Sequence, residues 1–168
     1  MKKRLFALIC ALSLGLLAAC GNSADTSFTR DDLSLHVAGT TYRLGMAIGT
    51  VTDHLGDGYE YAEGRSCDYD GLDKTYIYDL AEFYTFPLEE GDMLSEVYTE
   101  SPDVTTSKGL KVGVSKRDVL SAYGDDCEDT GYQLIYSLPD KEGPNRGSLC
   151  FDLDGDVVKA IYITARSV

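Results

Sequence analysis

The sequence predicts an α+β fold: two tandem helix-plus-antiparallel-meander repeats packed side by side, preceded by a signal peptide and a short tether. Internal similarity is the first observation behind this. The segment Leu44–Gly56 matches Val112–Gly124 at an offset of 68, with apolar residues at Leu44/Val112, Met46/Val114, Val51/Val119 and Leu55/Tyr123. Paired strand patterns are the second. Tyr84-x-Phe86-x-Leu88 and Leu149-x-Phe151-x-Leu153 alternate, and each leads through an acidic Gly turn into another apolar run, Gly91–Tyr98 and Gly155–Tyr162. The third is size. A unit of about 55 residues buries too little surface to stand alone, so two units would share a sheet or a groove.

Each element follows from local chemistry. Residues 1–19 read as a secretory signal, with Lys2-Lys3-Arg4, an apolar run from Leu5 to Ala19, and small residues at its end. That run is 15 residues long, whereas a spanning helix needs about 20. Residues 20–30 are small and polar and read as a tether. Residues 31–104 form the first repeat. It opens with a hairpin of Leu33–Val37 and Thr41–Leu44, continues with a helix weakened by Gly49, Thr50, Val51 and Thr52, and ends in strands. Residues 105–168 form the second repeat, joined through Ser101–Ser107. Its helix is better marked: Ser115 suits an N-cap, Asp118 stands three residues later, and Gly124 suits the C-terminal stop.

Two resemblances add to this reading. Leu16-Leu17-Ala18-Ala19-Cys20 resembles the lipobox of bacterial lipoproteins, Leu-Ala-Ala-Cys, at every position. The resemblance implies cleavage before Cys20, acylation of its thiol and an extracytoplasmic protein anchored to the cell membrane. One acyl chain holds only marginally, and such lipoproteins carry two or three. The tandem units, with Ser66–Tyr76 and Gly109–Gly113, resemble the β-lactamase inhibitory protein fold and uncharacterised lipoproteins of Gram-positive bacteria. Inhibition of a β-lactamase does not carry over from fold.

Charge is uneven. Residues 53–103 hold 15 acids against Arg65 and Lys74, whereas residues 104–168 hold 10 acids and 8 bases. Such a field repels nucleic acid and anionic headgroups, and it favours a basic protein or peptide partner. Simple solubility is the competing explanation.

Little points to catalysis. Neither His36 nor His54 stands at ligand spacing from another His or Cys, so no metal site of the usual spacing is expected, and no cofactor motif is present. Asp152–Asp156 and Asp68–Asp73 alternate acids, but they lack the Gly and Glu positions of a calcium loop and read as turns. Export permits one disulfide among Cys67, Cys127 and Cys150. Cys127 with Cys150 is one reading, and three small unbridged residues is the other. Cys67 paired with His54 would make a thiol enzyme, a third and lesser function. The tyrosines carry the binding hint. Seven of twelve lie in residues 53–103. Tyr59, Tyr61 and Tyr69, with Asp68 and Asp70, form the expected binding face. The expected function is therefore a lipid-anchored, non-catalytic binding module. The alternative is an accessory lipoprotein of an envelope assembly.

Overall fold

The chain is described by a computed structural model that covers residues 26–139 and 146–165. It corrects the expected architecture. The protein is mostly β, 46% strand and 13% helical, and not an α+β arrangement of helix-plus-meander repeats. The physical reason lies in the helices. α1 (Gly49–Leu55) and α2 (Lys116–Tyr123) are two turns each, too short to form a layer. Gly, Thr and Val in α1 are weak helix formers, and Tyr, Val, Ile and Thr elsewhere suit strands.

Eleven strands are described. β1 (Ser34–Val37) and β2 (Thr40–Arg43) form a hairpin that β7 (Thr105–Thr106) joins to make a three-stranded sheet. The others are β3 (Glu60–Arg65), β4 (Leu72–Ile77), β5 (Glu82–Leu88), β6 (Gly91–Thr99), β8 (Glu128–Asp129), β9 (Gln133–Ser137), β10 (Ser148–Asp154) and β11 (Val157–Thr164). They form one antiparallel sheet in the order β3-β4-β5-β6-β11-β10-β9-β8. Thus the strands from both halves of the chain make a single eight-stranded sheet. β6 and β11 meet at its centre, with Ile161 opposite Thr99 and Thr164 opposite Glu96.

Among the described residues, the helices and the small sheet cover one face of this sheet. On it, Tyr61, Tyr76, Phe83, Val97, Ile163, Leu149 and Tyr136 stand opposite one another in a single row across seven strands. All but the edge residue Tyr61 are buried. Leu35, Val37 and Tyr42 of the small sheet pack into the same cluster, with Val51 of α1 and Val119 and Tyr123 of α2. Rings tie the layers together. Phe83 lies 5.1 Å from Tyr42 and 5.8 Å from Tyr78, and Tyr123 lies 5.4 Å from Tyr136. Phe28 docks the N-terminal approach onto Tyr136 at 5.8 Å.

Polar groups at the layer edges are paired. The Tyr42 hydroxyl and His54 Nδ1 are 2.7 Å apart, which links the small sheet to α1. α2 starts at Ser115, whose hydroxyl accepts from the Asp118 amide while the Asp118 carboxylate accepts from the Ser115 amide. The Tyr136 hydroxyl donates to the Gly124 carbonyl at 2.7 Å, just past the end of α2. Among the described residues no helix is long and apolar enough to cross a membrane.

Phe83 sits where the two sheets meet, so its loss leaves a cavity. Phe83→Ala is expected to cost about 3–5 kcal/mol of unfolding free energy. Ser115→Ala, which removes only a cap, is expected to cost about 1 kcal/mol. Urea unfolding of both variants checks the order, and equal losses would contradict the packing described.

Candidate binding face

The second face of the large sheet carries no helix and no strand layer among the described residues. Because side chains alternate along a strand, the register fixes what it displays. One row runs across all eight strands: Glu60, Ile77, Glu82, Tyr98, Tyr162, Cys150, Ile135 and Glu128. A second holds Thr75, Tyr84, Glu96, Thr164, Ser148 and Ser137. Asp152 and Gln133 stand opposite each other beside the first row. Carboxylates therefore recur from edge to edge. No Lys or Arg occupies either row, and Lys159 is the extra residue at the β10–β11 irregularity.

The centre of this face is a hydrogen-bonded aromatic group. The Tyr98 and Tyr162 rings are 6.0 Å apart and tilted by 35°. The Tyr98 hydroxyl donates to Glu100 at 2.6 Å, and the Tyr84 hydroxyl donates to Glu82. Gln133 Nε2 donates to both Asp152 Oδ1 (2.6 Å) and the Tyr162 hydroxyl (2.7 Å). Ser137 and Ser148 are linked at 2.8 Å. These bonds hold the rings in fixed orientations, with apolar bodies flanked by acids. At one end of the face, Tyr78, Asp79, Glu82, Tyr84, Tyr98 and Glu100 line an open depression of about 650 Å³.

Electrostatics follow from burial and acids. Burial raises the pKa of Tyr84, Tyr98 and Tyr162 above the ordinary 10.0. The hydrogen bond to Glu82 adds to this for Tyr84, and that to Glu100 for Tyr98. Tyr78 is pushed up to about 12 by burial and by nearby Tyr59 and Asp57. The hydroxyls therefore stay protonated, and the negative charge of the face comes from carboxylates alone.

The residues expected from sequence do not make one face. Tyr59 is half-buried, 4.9 Å from Tyr76 and 5.4 Å from Tyr78. Tyr61 is 48% exposed at the sheet edge, on the covered side, with its hydroxyl donating to Glu63 at 2.6 Å. Tyr69 lies in the β3–β4 loop, 4.9 Å from Phe86. Exposed Asp68 and Asp70 flank it in that loop, and Gly71 pins the loop down. There φ is 136°, and an added Cβ would meet Pro87 Cβ at 2.8 Å. Strand parity sorts the tyrosines: Tyr84, Tyr98 and Tyr162 fall on the open side.

The Cys127–Cys150 pairing is also corrected. Both are free thiols, as is exposed Cys67. Cys150 belongs to the open-face row with Tyr162, whereas Cys127 packs against the core on the opposite side, beside Tyr136. The sheet separates them. Cys67 has no described contact with His54, which is held by Tyr42 and Thr40. Cys20 lies outside the described residues. No family model, no curated protein and no solved structure matches this chain.

Two measurements check this environment. The unfolded chain ionises its tyrosines near 10.0, while the fold holds Tyr84, Tyr98 and Tyr162 protonated to higher pH. Above that value the unfolded state releases protons first. Stability is therefore expected to be intact below pH 10 and to fall as pH rises past it, read from unfolding midpoints along an alkaline series. Burial pushes the Cys150 thiol up to about 12. A maleimide is accordingly expected to modify Cys67 rapidly and Cys150 only on unfolding, as peptide mapping would reveal. Rapid labelling of Cys150 in the folded chain would contradict its placement.

Proposed function

We propose that this chain is a lipid-anchored envelope protein that works outside the cytoplasm as a non-catalytic binding module. Cys20 carries the lipid in this reading, and the open sheet face carries the binding. The partner is a basic protein or peptide. The observation that supports it is the composition of that face: tyrosines held by hydrogen bonds, carboxylates in both rows, and no Lys or Arg within them.

The chemistry is direct. Tyrosine offers rigid apolar area with a polar tip, and it loses little conformational freedom on contact. A Lys or Arg side chain entering the depression would meet the rings of Tyr84 and Tyr98 and the carboxylates of Glu82 and Glu100. The half-buried row residue Ile77 supplies apolar contact between the acids. Both halves of the chain contribute to the face, and the depression at its end is lined by residues 78–101.

Cross-linked capture of the lipidated protein from its own envelope, at low and at physiological salt, tests the reading. A stoichiometric partner is expected that weakens as salt rises, because exposed charges are screened over about 10 Å at 0.1 M salt. Glu82→Lys with Glu100→Lys should abolish capture, whereas Tyr132→Ala, in the β8–β9 turn, should not. A partner retained at both salts and by the charge-reversed variant would refute acidic-face binding and point to an assembly role. Cys20→Ser is expected to move the protein out of the membrane fraction.

A further inference from the structure

A site of opposite character lies away from the acidic face. Arg30, from the turn before β1, Arg43, at the end of β2, and Arg146, just before β10, line one pocket of about 260 Å³. These are three of the five described arginines, in a chain of net charge −13. Among the described residues, no Asp or Glu lines the pocket. The two ion pairs between described residues are both made by lysines, Lys74–Asp92 and Lys116–Asp129. Arg30 has a partner within the fold, so the argument rests on Arg43 and Arg146.

A solvated charge would scatter over this acidic surface and sit beside carboxylates. Here arginines from three separate segments line one pocket whose apolar walls are Leu33, Leu44, Phe86 and Met93. Like charges in one place favour an anion, and Arg recognises a planar carboxylate through two parallel hydrogen bonds. Apolar walls call for an apolar body, which a bare phosphate or a lipid headgroup lacks. The pocket is smaller than the 300 Å³ or so at which drug-sized sites begin, so the body is compact.

We propose that the pocket formed by Arg30, Arg43 and Arg146 over Leu33, Leu44, Phe86 and Met93 binds a small carboxylate with a compact aliphatic body, of the medium-chain fatty acid class. The head meets Arg43 and Arg146 at the mouth, and the chain lies against the leucines and Phe86. This site is separate from the acidic face and needs no partner on it.

Titration calorimetry of the purified full chain tests the assignment with four probes: octanoate, 1-octanol, octyltrimethylammonium and inorganic phosphate. Octanoate is expected to bind at least about tenfold more tightly than the other three, the scale of charge-assisted hydrogen bonds. The double variant Arg43→Gln, Arg146→Gln should lose that preference while keeping its urea midpoint. Equal binding of octanoate and octanol would overturn the proposal, as would phosphate binding as well as octanoate. So would a preference that survives in the folded double variant. The wild-type probe series decides the matter even if the double variant does not fold.

Discussion

The pairing of β6 with β11 is the constraint on which the structure depends. It joins β3–β6 to β8–β11, so eight strands share one register. Val97 stands opposite Ile163 on the covered side, and Tyr98 stands opposite Tyr162 on the open side. A slip of one residue would exchange them, driving tyrosine hydroxyls into the core and placing Val and Ile in water. The hydrophobic cost of that exchange fixes the register. The register in turn fixes which side chains the proposed binding face carries.

The layer arrangement follows from that alternation. The short helices, the small sheet and Phe28 all pack on one side, and among the described residues no helix or strand layer packs on the opposite side, where Tyr98 and Tyr162 are half-buried and Cys150 and Ile135 are buried. Both sheet edges are protected against adding strands. β3 is exposed along its length and carries Glu60, Glu63 and Arg65, and β8 is the two-residue Glu128–Asp129. The open face can therefore be acidic and aromatic without inviting edge-to-edge association. Its hydroxyls remain donors because burial and nearby acids resist their ionisation. The proposed carboxylate pocket at Leu33 and Leu44 is lined by arginines, opposite in charge to the acidic face.

Sequence reading found several elements because their signals are local. The Ser115–Asp118 cap, the alternation at Tyr84–Leu88 and Leu149–Leu153, and the Asp154-Gly155 turn all act over a few residues. β3 and β8 escaped because Glu60–Arg65 and Glu128–Asp129 lack apolar alternation and rely on their neighbours for pairing. β7 looked like a join because its two threonines become a strand only beside β1. The error in fold class came from giving α1 and α2 the weight of a layer, when the cover is shared with a second sheet. The binding face escaped for a long-range reason. Tyr98 and Tyr162 are 64 positions apart, and only the β6–β11 register makes them neighbours. The arginine pocket is likewise assembled from three distant segments.

A photo-reactive phenylalanine analogue in place of Tyr98, compared with one in place of Tyr132, tests the central claim most directly. Tyr98 is at the centre of the open face, and Tyr132 is the most exposed of the described rings, at 69%, in the β8–β9 turn. Illumination of cells carrying each version should yield one discrete adduct from position 98 and none from position 132. Adducts from position 132 alone, or from neither, would contradict the open sheet face as the binding surface.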